Sequence, residues 1–239
     1  MNIKAQIPNL FTMLNLFCGC VALVFVSDFR FDLAFYFVSL GIFFDFFDGF
    51  FARKFGVAGP LGVQLDSLAD MVTSGVVPGY VMMYLLAGNY VHAPIEGYLP
   101  YLGFVITLGA CYRLAKFNID TRQSESFIGL PTPANSLFIT SLPLVIAAYP
   151  NHALGEILLN QWVLLGITFL SAYVMNAEIP LFSLKIKHFS FVKYKMQIFF
   201  LVVSILMLIF LQISAVPLII LVYVLLSLVN NTVNKKASV

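Results

Sequence analysis

The sequence predicts an all-α polytopic membrane protein, a helical bundle of about eight transmembrane helices, and three observations carry that reading. Of its 239 residues 61% are hydrophobic and only 10% charged, whereas a soluble domain is about half apolar and a quarter charged. The mean hydropathy is +0.95. Apolar runs of about twenty residues, the length that crosses the hydrocarbon core as a helix, follow one another from end to end.

Eight spans are expected, near 10–27, 32–55, 61–87, 99–117, 132–149, 157–176, 196–213 and 215–233. Residues that end helices separate them: Gly59-Pro60 before the third, Pro94 before the fourth, Pro131 and Pro133 before the fifth, Pro150 after it and Pro180 after the sixth. The last two spans nearly touch, so Gln212 to Pro217 must form a tight hairpin. The run from Leu10 follows Lys4 and faintly resembles a signal peptide, but Cys18-Gly19-Cys20 and Ser27 make a poor cleavage site, and it reads as the first span.

Charge placement gives the orientation. Lys4, Arg53, Lys54, Arg113, Lys116, Arg122, Lys185, Lys187, Lys193, Lys195, Lys235 and Lys236, 12 of the 13 basic residues, fall at the termini or the even-numbered loops, with Arg30 alone opposite. The positive-inside rule then puts both termini in the cytoplasm, and a prokaryotic inner membrane is the simplest setting. A net charge of +2 without basic runs excludes nucleic-acid binding. Cys18, Cys20 and Cys111 are odd in number and lie in apolar runs, so they read as small buried residues rather than disulfides or zinc ligands. His92, His152 and His188 sit in separate loops, which excludes a histidine-based centre.

The stretch DFFDGFFARKFGVAGPLGVQLDSLAD, from residue 45, is the anomaly. Asp45, Asp48, Gly49 and Ala52 share an arc of about 100° on one helix, and Gly62, Asp66 and Asp70 form an i, i+4, i+8 stripe on the next. Both ends face the same membrane side. Four aspartates there would cost on the order of 10 kcal/mol, and Arg53 and Lys54 could neutralise only two. An oxygen-only set suits hard divalent cations such as Mg2+ or Mn2+, and two of them would balance four charges. Two metals clamping a diphosphate suggest phosphoryl transfer; helix capping, ion pairing or a cation path in a transporter are the other readings.

Asp48-Gly49-x2-Ala52-Arg53-x8-Gly62-x3-Asp66-x3-Asp70, with Asp45 three residues upstream, resembles the full signature of the CDP-alcohol phosphatidyltransferases. The resemblance implies a six-span catalytic core over residues 1–176, followed by a two-span extension over 177–239. It implies that Asp45, Asp48, Asp66 and Asp70 bind two divalent metals and that Asp70 is the general base on the acceptor hydroxyl. It also implies that Gly49, Ala52 and Arg53, with Gly62 beside them, hold the CDP-lipid, and that the protein forms a homodimer.

Residues 112–136, YRLAKFNIDTRQSESFIGLPTPANS, together with IPNLFTMLNLFCG at 7–19, are similar to the phosphatidylserine synthase branch of that family. Lys116 replaces an arginine of that pattern, and Asn135 stands where a small residue is usual. The branch implies CDP-diacylglycerol and L-serine as substrates, phosphatidylserine and CMP as products, and a place in phospholipid biosynthesis. The loop mixes Arg113, Lys116, Asp120, Arg122 and Glu125, a set of charges suited to a zwitterion, and Arg113 and Lys116 are the candidate acceptor-binding residues. Glycerol 3-phosphate or inositol phosphate as acceptor, which would favour a more cationic pocket, is the alternative.

Overall fold

A computed structural model describes residues 3–88, 97–120, 127–181 and 195–237. His92, Pro94, Arg122, Glu125, Lys185, Lys187, His188 and Lys193 lie outside the described residues. The fold is helical: α1 (Ile3–Ser27), α2 (Phe31–Phe55), α3 (Pro60–Asp70), α4 (Val77–Ala87), α5 (Val105–Ile119), α6 (Thr132–Ala148), α7 (Ala153–Leu159), α8 (Gln161–Asn176), α9 (Lys195–Leu211) and α10 (Ala215–Ala237). Its core runs through the middle of the bundle, with Val38, Met82, Ile106, Ile139, Leu164 and Met175 almost fully buried.

Among the described residues five stretches are long and apolar enough to cross a membrane, or six with the bent pair α7–α8 taken as one span. Two places account for the difference from the eight expected. Helix α6 has 17 residues, about 25 Å at 1.5 Å per residue, slightly short of the hydrocarbon core. The continuous apolar stretch Met196–Asn231 is in fact two antiparallel helices: the Phe200 and Tyr223 rings lie 5.6 Å apart, and Gln212 has φ +50° at the reversal. The hairpin expected at Gln212 is therefore present.

The expected sixth span is divided. Helix α7 meets α8 at 70°, because Asn160 between them accepts from the Trp162 and Val163 amides and caps a new helix. The third span is interrupted too. After Asp70 the chain makes a π turn, Met71–Val76, before α4. Pro78 supplies the reason, since its ring crowds the carbonyl four residues back and leaves it without a donor, and a widened turn relieves that conflict.

The turn from α2 into α3 positions the aspartates. Gly56 ends α2 at φ +63°, its amide bonding Arg53 O while the Val57 amide bonds Ala52 O, a closure that needs a residue free to adopt the left-handed region. Pro60 then opens α3 at its first turn. Close packing at the π turn completes the frame. A Cβ on Gly41 would lie 2.9 Å from both Asn15 Oδ1 and Thr73 Cγ2, and one on Gly19 would lie 3.0 Å from Thr73 Cα. Helices α1 and α2 thus both close onto Thr73. Of the cysteines expected to be buried, only Cys18 is; Cys20 and Cys111 are exposed on the helix surface.

A two-residue antiparallel ribbon, absent from the all-α expectation, pairs β1 (Phe127–Ile128) with β2 (Pro180–Leu181). It ties the segment entering α6 to the segment leaving α8.

Candidate metal and phosphoryl-transfer site

Asp45 and Asp48 lie one turn apart on α2, and Asp66 reaches them from α3. Each offers a carboxylate oxygen, and the three oxygens lie within 4.8 Å of one another. Asp48 is 7% exposed, and one oxygen of Asp45, Oδ1, is buried without a hydrogen-bond partner among the described residues. Like charges drawn together in a half-buried site repel, and such an arrangement is stable only with a counter-charge. Oxygens within this distance of one another can sit in the shell of one hard cation, whose metal–oxygen bonds are about 2.0–2.6 Å. The donor set therefore fits a divalent cation.

Asp70 stands outside that trio, one turn further along α3, and is 7% exposed. Its Oδ1 accepts from Asn15 Nδ2 at 3.1 Å, and its carboxyl remains close enough to Asp45, Asp66 and Asp48 to interact electrostatically. From the sequence all four are grouped as metal ligands, with Asp70 the base as well; the geometry separates a cluster of three from Asp70, a fourth carboxylate with its own partner.

Helix α1 carries no acid, yet it forms one wall. Thr12 Oγ1 lies 2.7 Å from Asp48 Oδ2 and donates to it, Asn15 holds Asp70, and Asn9 Oδ1 lies 4.0 Å from where a Gly62 Cβ would sit. Sequence reasoning missed these three. The signal was present as polar residues at i, i+3 and i+6 in an apolar helix, a stripe that only a polar neighbour would accommodate.

The other expected residues divide. The Arg53 guanidinium folds back over Gly49, with Nη1 3.2 Å from the position a Cβ would take there, so a side chain at 49 would displace the cation from the aspartates. Ala52 is half-buried on the same helix. Arg113, expected at the acceptor, is buried, and its Nη1 donates to Ile128 O at 2.8 Å and Met175 O at 2.9 Å. Those contacts make it a clamp between α5, the ribbon and the end of α8. Lys116 pairs with Glu178 at 3.7 Å, with both side chains well exposed. Beside the aspartates, Asn118 Nδ2 donates to Ser67 Oγ at 2.9 Å, tying α5 to α3 next to Asp66.

Comparison with known proteins extends this geometry. A model of the CDP-alcohol phosphatidyltransferase family matches residues 5–174. The chain is 30% identical over 211 residues, 86% of its length and 81% of the relative's, to a CDP-diacylglycerol-serine O-phosphatidyltransferase of Helicobacter pylori (strain ATCC 700392 / 26695). It is 37% identical over 131 residues, 53% of its length and 69% of the relative's, to the Bacillus subtilis (strain 168) protein of that name. A Methanocaldococcus jannaschii protein, also so named, is 31% identical over 191 residues, covering 77% of this chain and 86% of the relative.

Proposed function

The chain belongs to the CDP-alcohol phosphatidyltransferase family, and from that premise we infer that it transfers the phosphatidyl group of CDP-diacylglycerol to the hydroxyl of L-serine, giving phosphatidylserine and CMP. The observation that carries the chemistry is the convergence of Asp45, Asp48 and Asp66 within 4.8 Å. The names of the relatives supply the acceptor.

Two divalent ions, Mg2+ or Mn2+, held by Asp45, Asp48, Asp66 and Asp70, would neutralise the diphosphate and make CMP a better leaving group. The chain's own groups do the rest. Arg53, aimed back along α2 over Gly49, offers a planar, permanently charged donor to a phosphate, while Gly49, Ala52 and Gly62 leave room for the CDP moiety. Asn15 fixes Oδ1 of Asp70 and so orients the carboxylate that takes the serine hydroxyl proton. The serine oxygen bonds to the phosphatidyl phosphorus, the bond from that phosphorus to the CMP oxygen breaks, and CMP departs with the electron pair.

With Arg113 engaged on Ile128 O and Met175 O, Lys116 is the remaining candidate for the serine carboxylate. The distribution of basic residues supports a site and both termini on the cytoplasmic face, and a prokaryotic membrane is the simplest setting. The family likeness supports a homodimer and a catalytic core over the first six spans.

The test is CMP release by the purified protein from CDP-diacylglycerol with Mg2+ or Mn2+, offering serine, glycerol 3-phosphate or inositol phosphate. Serine-dependent release with formation of phosphatidylserine supports the reading. Release only with a phosphorylated acceptor keeps the aspartate site and removes serine; no release with any of the three removes the transferase.

A further inference from the structure

The matched family region stops at residue 174, whereas α9 and α10 continue to Ala237. We infer that this hairpin braces the acceptor side of the site, with Tyr223 and Asn231 of α10, on a stripe shared with Ser227, as positioning residues. The inference uses the serine-transfer reading for its kinetic arm only.

The three residues recur at i, i+4 and i+8, a single stripe along one face of α10. That face is turned into the protein: Tyr223 is 7% exposed and Ser227 fully buried, whereas Leu221, Leu225 and Val229 are exposed. Ser227 satisfies its hydroxyl on Tyr223 O within α10, so the neighbour is held by the Tyr223 ring and by Asn231, polar side chains between helices being a means of association in lipid.

The contacts can be followed to the site. Asn231 Nδ2 donates to Pro180 O at 2.6 Å. Pro180 faces Ile128 across the ribbon, and Ile128 O receives Arg113. Tyr223 is buried, and its ring packs on Phe200 of α9 at 5.6 Å. Beyond the ribbon, the Gly129 amide bonds Ile179 O at 2.9 Å and the Leu130 amide bonds Val174 O at 3.0 Å, which sets the entry into α6. Further along α5, Asn118 holds Ser67, the neighbour of Asp66.

A ribbon of two residues per strand is too short to persist alone, and Pro180 brings no N–H to it. External fastening is therefore needed on the β2 side. Asn231 supplies it directly, and Tyr223 supports it by seating α10 against α9.

The experiment uses the full chain, purified, carrying Asn231→Leu or Tyr223→Ala, with Asn231→Gln as the conservative control. Hydrogen exchange at the Gly129 and Leu130 amides is read beside the KM values for serine and CDP-diacylglycerol. Expected for Asn231→Leu are faster exchange at both amides and a serine KM raised about fivefold, the loss of one hydrogen bond. The CDP-diacylglycerol KM and exchange in α2 and α3 should stay unchanged, and Asn231→Gln should recover most of the effect. Unchanged exchange at Gly129 and Leu130 in both variants overturns the brace, and so does a uniform loss of protection with both KM values rising together. Should the wild-type protein release no CMP with serine, the transfer reading fails and the exchange data alone decide the brace.

Discussion

Thr12 donates to Asp48 across the α1–α2 interface at 2.7 Å, so a helix without a single carboxylate sets the orientation of a residue in the acidic cluster. Thr12→Val keeps the shape and removes the donor. The loss of one buried hydrogen bond to a charged group is about 1.5–3 kcal/mol. The expected outcome is a rise of about tenfold or more in the Mg2+ or Mn2+ concentration that supports half-maximal CMP release, with Thr12→Ser close to wild type. A normal metal requirement in Thr12→Val would place the orienting force elsewhere.

Asp70 is distinguished by its place outside the trio and by its Asn15 partner. Asp70→Asn is expected to abolish turnover while leaving CDP-diacylglycerol binding largely intact. Binding by isothermal titration beside CMP release separates the two properties, and retained activity in the variant removes Asp70 as the base.

Metal removal should act on stability as well as on rate. A ligand present at a hundredfold excess over its dissociation constant stabilises the folded state by about 2.7 kcal/mol. Adding Mg2+ or Mn2+ to chelator-treated protein should therefore raise the thermal midpoint, and Asp45→Ala, which deletes one of the three convergent carboxylates, should lose most of that rise. An equal rise in the variant would show that the ion binds elsewhere.

Arg113 and Lys116, the two acceptor candidates named from the sequence, should behave oppositely when altered. Arg113→Lys keeps a charge but cannot reproduce a guanidinium fixed on Ile128 O and Met175 O, and it should lower stability by about 2–3 kcal/mol. Lys116→Ala breaks an exposed pair with Glu178 and should change stability by less than about 1 kcal/mol. Thermal or denaturant unfolding in detergent tests both. A rise in the serine KM with Lys116→Ala, stability unchanged, would return Lys116 to the acceptor pocket.

What could be read from the chain beforehand follows a physical division. The helices, their breaks at Gly59-Pro60 and Pro150, the reversal at Gln212 and the shared face of the aspartates all depend on short-range periodicity, which a linear sequence displays. The roles of Thr12, Asn15 and Arg113 depend on which helix lies opposite. Asn15 and Asp70 are 55 residues apart, and only packing joins them. Arg113 illustrates the reverse case: a basic residue near a cytoplasmic helix end reads as an anchor or a ligand contact, because nothing local reveals that two backbone carbonyls converge on it. The bend at Asn160 was legible in principle, since asparagine is a good cap, but an unbroken apolar run obscured it.

The π turn after Asp70 inserts additional backbone into what would otherwise be one regular helix, shifting everything that follows by about 100° of helical phase for each added residue. The two halves of Pro60–Ala87 are thereby indexed independently: α3 answers to the aspartates of α2, while α4 answers to the apolar faces of α6 and α8. A single-residue deletion anywhere in Met71–Val76 would couple the two phases again. Either the carboxylates or the bundle core would then meet the wrong neighbours, although no residue of either had been replaced.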